Sequence, residues 1–346
     1  MNPKVSVCLP NLNNRAFIKE RLDTIVNQTF IDWELVVVDG YSDDGAWSII
    51  QEYASQDSRI RLFQEQPEGI YQAFNSCIKK ARGEYIYIAT SDDTMTPDCL
   101  SKMVATLDEN TDCDLCQCKL EFIDENSESL PPEQQWSVFI GASKYLNHWL
   151  DCSHKRYAPH DGLLHFAVLT VYTSLTQLLI RRQLFEKIGY FKTGWGSIAD
   201  FEWGMRASLL YNTVYIPEAL ATWRKHSHQA TTDPFTPEKL KIVLEMSHHA
   251  LDFARQHNYK KVKNFSYSEL SFYYKKIIIL TGINQQFNLI SKLLFLLSCL
   301  VKYPQATFMY CFNKIFNRHR HQNNSYIEWI SKKMTKLNQT DSIVLS

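Results

Sequence analysis

The chain has 346 residues, 45% of them hydrophobic and 21% charged, which leaves room for one large or two smaller cored domains and excludes a wholly disordered chain. Its formal net charge of zero is a cancellation: residues 255–336 hold 14 Lys and Arg against two acids, whereas residues 1–254 hold 23 basic and 34 acidic residues. A basic tail on an acidic body suggests an anionic surface as partner, lipid or nucleic acid. With no nucleic-acid motif beside it, nucleic acid is not expected and an anionic membrane surface is. The plain alternative is a helical subdomain that packs its aromatics on the body or on a second subunit.

The start, MNPKVSVCLPNLNN, has no charged stretch followed by a long apolar run, so no signal peptide is expected. The longest apolar run, residues 293–301, is broken by Ser298 and is too short to cross a bilayer. Nine cysteines without a secretory leader suit a reducing compartment. The expected location is therefore cytoplasmic, peripheral on the inner face of the cell membrane if the tail binds there.

In chain order, strands are expected over 5–9, 35–38, 60–63 and 85–89, and helices over 16–28, 45–54 and 70–81. Continuous β-branched runs between amphipathic helices indicate a mostly parallel sheet covered on both faces, which binds ligands at the carboxyl ends of its strands. Another helix should open near Pro97, with Thr96 as its cap. Strands over 115–123 and 176–180, a polar loop over 124–135 and a helix over 198–210 follow. From about residue 236 only helical segments rich in Phe, Tyr, Leu and Lys are expected, to about residue 336.

The strand ends carry the candidate site. No G-x-G-x-x-G or Walker-type glycine loop follows the first strand, so any phosphate must be held otherwise. The second strand ends at Asp39, able to accept from a base or ribose; the plain alternative is a turn in which Ser42 or Asp43 caps the next helix. The strand over 85–89 ends in Ser91, Asp92 and Asp93. Adjacent carboxylates repel unless a cation or donor compensates, and Mg²⁺ or Mn²⁺ is often shared between a carboxylate and substrate phosphates. Asp200 and Glu202 stand two apart on one helix and cannot share a face. Glu202 suits a surface ion pair with Arg206 at i+4; Asp200 has no such partner. His226 falls in a loop with Arg224 and Lys225. Cys113, Cys116 and Cys118 are spaced too irregularly from Cys152, His148, His154, His160 and His165 for a zinc site to be favoured. His160 and Asp161 suit a polar turn, with lining of an acceptor site as the alternative.

Taken together, VSVCLPNLNN, ELVVVDGYSDDG, GIYQAFNSCIKKARGEYIYI and SDD over residues 5–110 resemble glycosyltransferase family 2. The resemblance continues more weakly through LLIRRQLFEKIGYF, ADFEWGMR and TWRKHSHQ. The GIYQAFN segment is similar to bacterial enzymes of surface-polysaccharide biosynthesis. The resemblance implies a GT-A fold: an α/β, mostly parallel sheet flanked by helices, with a mainly helical C-terminal region. Residues 1–110 would form the nucleotide-sugar-binding half, 111–235 the acceptor-binding and catalytic-base half, and 236–346 a basic, aromatic-rich helical tail. By the same resemblance Pro10, Asn11 and Asp39 bind the base and Asp92 faces the ribose. Asp93 would coordinate a divalent cation, Mn²⁺ or Mg²⁺, with His226 near the metal and diphosphate. Asp200 matches the catalytic base. Ser91 replaces a carboxylate that many members have first in the metal motif. The implied activity is inverting, metal-dependent transfer from a nucleotide-sugar, by default a UDP-sugar, to an acceptor hydroxyl, a lipid-linked glycan in bacterial surface polysaccharide synthesis. An oligomer is compatible with this. The rivals are a nucleotidylyltransferase, which would need cations near the first loop where only Arg15 stands, and a non-catalytic sugar-nucleotide-binding protein.

Overall fold

The structure is a computed structural model and describes residues 2–131, 140–227, 229, 236–263, 265, 275–276, 278–280, 282–286, 288–316, 331–332, 334–335 and 342–345. Its elements run β1 (Val5–Asn11), α1 (Arg15–Val26), β2 (Trp33–Asp39), α2 (Ala46–Gln56), β3 (Ile60–Gln64), α3 (Ile70–Lys80), β4 (Tyr85–Ile88), α4 (Cys99–Glu109) and β5 (Leu115–Ile123). There follow α5 (Ile140–Leu146), β6 (His154–Arg156), α6 (His160–Val168), β7 (Leu178–Arg181), α7 (Gln183–Ile188), α8 (Ala199–Leu210), β8 (Thr213–Arg224), α9 (Pro237–Val262), α10 (Leu289–Lys302), α11 (Pro304–Phe316) and β9 (Ile343–Leu345).

One sheet carries the order β3-β2-β1-β4-β7-β5-β8-β6-β9. β3, β2, β1 and β4 are mutually parallel, β5 is parallel to β8, and the remaining neighbours are antiparallel. The expected mostly parallel sheet is thus the N-terminal half of a mixed one. Alternation along β1 divides the core. Val5, Val7 and Leu9 pack with α1, α2 and α4, whereas Cys8 faces a second cluster with α3, α6, α8 and α9. Both faces being covered explains why these strands read as unbroken apolar runs. Cys113, Cys116 and Cys118 are free, buried thiols in the first of these clusters.

Several boundaries differ from expectation. α4 begins at Cys99, with Asp98 and not Thr96 in the cap position. Thr96 N–H instead donates to the Leu220 carbonyl, and the Pro97 carbonyl accepts from Thr29 N–H, so tertiary pairing holds this stretch outside the helix. Residues 175–177 form a 3₁₀ turn, which delays β7 to Leu178. Thr222–Arg224, expected in a loop, end the long strand β8. Two three-residue strands, β6 and β9, pair antiparallel at the sheet edge. β9 corrects the expectation of no strand after residue 236, and β6 is a strand not expected between residues 135 and 176; three residues are too few to show alternation. α9 opens on Thr236, whose hydroxyl accepts from Lys239 N–H, with Pro237 in the first turn. Its Leu240, Val243, Met246, Ala250 and Leu251 join the cluster around α8, so the helical tail starts as part of the core. The expected tail residues Tyr273, Tyr274, Ile277 and Phe287 lie outside the described residues, as does His228.

Candidate functional site

β2 and β3 lie to one side of β1, and β4 to the other, so the chain reverses its winding between β1 and β4. A crevice opens outside the carboxyl ends of strands at such a point. The parallel register pairs Asn11 with Asp39 at the ends of β1 and β2, and Pro10 with Val38. Asp39 is fully buried. Its Oδ2 accepts from Asn11 Nδ2 at 2.8 Å and Ser42 Oγ at 2.7 Å; its Oδ1 accepts from Ser42 N–H at 2.9 Å and Gln64 Nε2 at 3.3 Å. Asn11 Nδ2 also reaches Ser42 Oγ at 3.1 Å, which fixes the amide's orientation. Asn11 Oδ1 is left buried with no hydrogen-bond partner among the described residues. An orphan acceptor beside an ordered carboxylate is what a donor N–H would complete. Ser42 is thereby committed to Asp39. The contact at the next helix comes from Asp44, whose Oδ1 accepts from Ala46 N–H at 2.9 Å.

Across the crevice, Asn14 Nδ2 donates to Ser91 Oγ at 2.6 Å. The two neighbouring aspartates then part. Asp93 is 1% exposed. Its Oδ1 accepts from Arg224 N–H at 2.8 Å and its Oδ2 from Thr90 Oγ1. Burial and the charge of Asp92 push its pKa up to about 7 against those hydrogen bonds. Asp92 is partly exposed, and its Oδ2 lies 3.0 Å from His226 Nε2. The His226 ring packs at 4.8 Å on Phe17. Arg224 holds this corner together. It is fully buried and donates to the Asp92 and Asp124 carbonyls, to Ser127 Oγ and, at 2.7 Å, to Glu20 Oε2 on α1.

Asp200 stands in the first turn of α8. Its Oδ1 accepts from the Tyr71 hydroxyl at 2.5 Å, and that hydroxyl also lies 3.1 Å from the Ser197 carbonyl. Tyr71 is in the first turn of α3, the helix that follows β3, so the Tyr71–Asp200 pair belongs to the same carboxyl edge of the sheet as Asn11, Asp39 and Asp92. Gly69, at φ +96° with nothing within 4 Å of a built Cβ, turns the chain into α3 there. Burial raises the Asp200 pKa to about 6, although the Tyr71 hydrogen bond and backbone N–H groups favour its charged form.

Glu202 does pair with Arg206, at 2.6 Å, but the pair is buried and not on the surface. Residues 201–210 are buried all round, so the i+4 spacing was met inside the core. Burial opposes the charge on Glu202, yet a 2.7 Å contact from His249 and the Arg206 guanidinium hold its pKa below the ordinary value. His160 and Asp161 likewise form no polar turn. They open α6, fully buried, and Asp161 takes both 2.8 Å bonds from Arg156 Nε. Sequence reasoning passed over Tyr71 and Asn14, although both lie inside the motifs that carry the resemblance. Tyr71 and Asp200 are 129 residues apart, and only folding joins them.

Among the described residues no group of three or more His, Cys, Asp or Glu could hold a metal by itself. Asp93 is nearly fully buried, and each of its oxygens already accepts one hydrogen bond. Asp92 and His226 offer one carboxylate and one imidazole side by side. That donor set fits a shared ion such as Mn²⁺, whose remaining positions a bound diphosphate would fill.

Residues 6–173 match the family model for glycosyl transferase family 2. The resemblance carried by the motifs is borne out over those residues; Asp200 and His226 lie beyond them. The chain is 33% identical over 122 residues to a Bacillus subtilis (strain 168) protein provisionally named glycosyltransferase EpsH, covering 35% of this chain and 36% of that one. It is 33% identical over 110 residues to a protein of the same strain provisionally named teichuronic acid biosynthesis glycosyltransferase TuaG, covering 32% and 44%. The matches thus span less than half the length of these relatives. The fold resembles that of S. aureus TarS residues 1–349, at TM-score 0.61 and 16% identity over 97% of this chain and 89% of that one. The same TarS fragment in complex with UDP-GlcNAc aligns at TM-score 0.53 and 18% identity over 80% and 81%.

Proposed function

We propose that this chain, matched to glycosyl transferase family 2 over residues 6–173, is an inverting glycosyltransferase. It would move a sugar from a nucleotide-sugar, UDP-linked in our reading, to an acceptor hydroxyl of a lipid-linked glycan in surface polysaccharide synthesis. The observation that carries the reading is Asp200: a carboxylate with its pKa raised to about 6, held by Tyr71 at the edge of the sheet where the nucleotide pocket lies.

The pocket at Pro10, Asn11 and Asp39 suits a uracil. Its imino N–H could donate to the unpartnered Asn11 Oδ1, while Asp39 and Ser42 order the amide. TarS, whose fold is similar, has been solved with UDP-GlcNAc, which favours a UDP-sugar over other donors. Asp92 and His226 would hold the divalent cation, and Asp93 would brace the loop through Arg224. The ion supplies Lewis-acid neutralisation of the leaving diphosphate. Asp200 accepts the proton of the acceptor hydroxyl as that oxygen attacks the anomeric carbon from the face opposite the diphosphate, inverting it. Burial places the Asp200 pKa close enough to neutral for it to be both ionised and basic. Tyr71, whose own pKa burial drives well up, stays protonated and keeps the carboxylate aimed.

Nucleotidyl transfer is less well supported. Arg15, the cation that stands near the first loop, is already engaged: its Nη1 donates to the Asp44 carbonyl at 3.2 Å. The test is a screen of UDP-, GDP- and CMP-sugars for slow hydrolysis with Mn²⁺ and with EDTA. Metal-dependent release of UDP is expected; release of pyrophosphate from a nucleoside triphosphate and a sugar phosphate would replace this reading with nucleotidyl transfer.

A further inference from the structure

α10 is a well-defined helix of 14 residues, capped by Asn288, whose Oδ1 accepts from Ser291 N–H at 2.8 Å. Its inner side is packed. Cys299 is buried with Ile279, Ile283 and Ala306, and Phe295, Leu296, Tyr303 and Tyr310 lie against them. Contact there is close: a Cβ at Gly282 would fall 2.0 Å from the Phe295 ring, so only glycine lets α10 approach. The outer side is different. Leu289, Ile290, Leu293, Leu294, Leu297, Leu300 and Val301 are between 47% and 85% exposed. At 100° per residue these seven fall on one arc about 140° wide with no polar residue inside it. On α11, Phe308 and Phe312 are also exposed, 64% and 45%, one turn apart with rings stacked at 6.2 Å. A soluble monomer rarely leaves so continuous an aliphatic surface in water.

Charge says what covers it. Between Glu269 and Glu328 the sequence holds seven Lys and Arg and no acid. On α10 itself Lys292 and the exposed Lys302 fall outside the apolar arc, where headgroup contact would need them. A helix with an apolar arc and cationic surroundings matches the boundary between acyl chains and anionic headgroups. α10 is about 21 Å long at 1.5 Å per residue, too short to cross a bilayer, and no helix among the described residues is long and apolar enough to do so. We propose that the Leu289–Val301 face of α10 lies in the plane of an anionic lipid bilayer and anchors the enzyme peripherally, with Phe308 and Phe312 of α11 as further contacts. This stands independently of the transfer reaction.

The test is flotation of the full chain with vesicles of phosphatidylcholine alone and mixed with phosphatidylglycerol, for the wild type and for Leu293→Glu/Leu297→Glu. Both leucines are more than half exposed, so circular dichroism and Tm should be unchanged in the variant. The wild type should float with the anionic vesicles, less with the neutral ones, and be released by high salt. The double variant should lose at least about tenfold in partitioning. Equal flotation of both proteins would overturn the proposal. So would a wild type that ignores anionic vesicles; if it then sediments as an oligomer that the double variant dissolves, the face joins two copies of the chain instead.

Discussion

Asp200 carries one backbone-ordered carboxylate and one 2.5 Å bond from Tyr71, and each has a measurable consequence. Its ionised form is the active one, so kcat/KM should rise through an acid limb near pH 6. Tyr71→Phe removes a bond that favours the charged carboxylate, and should therefore move that limb to higher pH and lower activity at pH 6 more than at pH 8. A limb that stays in place would assign Tyr71 to packing alone. The stability sign is the opposite of that for a carboxylate whose pKa folding lowers. Between about pH 4 and pH 6 the folded protein retains a proton at Asp200 that the unfolded chain has lost, so this group makes stability fall as pH rises through that window. The neighbouring pair at β4 separates by role. Asp92→Asn should weaken UDP binding in Mn²⁺ and leave binding in EDTA unchanged. Asp93→Ala should instead lower Tm, because it leaves the Arg224 N–H buried without an acceptor, a loss of about 1–3 kcal/mol. If Asp93→Ala abolishes metal-dependent binding at unchanged Tm, the ion belongs on Asp93. That Asp92 and Asp93 are site candidates is legible from two adjacent carboxylates at a strand end. Which of them faces outward was not, since it depends on Arg224, 131 residues away.

Elements with a strong period were readable within a few residues: α1, α3, α8 and the four parallel strands all stand where apolar spacing puts them. The misses share a physical cause. β6, β9 and the start of α4 are fixed by partners distant in sequence: β6 by β8, β9 by β6, and Thr96–Pro97 by Leu220 and Thr29. Glu202 is expected in a surface ion pair and Asp161 in a polar turn because charged side chains usually lie outside the core. Each is buried because a guanidinium is folded in beside it, Arg206 and Arg156 respectively. The Arg156 group is a tight network: Nη2 donates to Gln117, Nη1 lies 2.8 Å from His154 Nε2, and Nε serves Asp161. Burial disfavours charge on Asp161, but Arg156 and His160 hold its pKa well below the ordinary carboxylate range. Asp161→Ala would leave a guanidinium unpaired in the core. We expect about 3–5 kcal/mol of lost stability, read by urea unfolding; a change under 1 kcal/mol would mean that water or a neighbouring group compensates Arg156.

At the scale of the whole molecule, an acidic body and a basic tail are evident from charge alone, but their division is not as sharp as composition suggests. α9 belongs to the body's core through its contacts with α8, and only from α10 onward does an apolar face turn outward. The sheet's carboxyl edge gathers Asn11, Asp39, Asp92, His226, Tyr71 and Asp200 from six different segments, and the proposed chemistry needs all of them at once. The assignment of Asp200 as base is the claim on which the rest depends. Once the UDP-sugar hydrolysed in the screen is known, its binding and turnover should be measured for wild type and Asp200→Asn at pH 7.5 with saturating Mn²⁺. The account predicts donor affinity within about twofold and turnover lower by about 10²-fold or more, the scale of a lost general base. Turnover equal to wild type at unchanged donor affinity would contradict it.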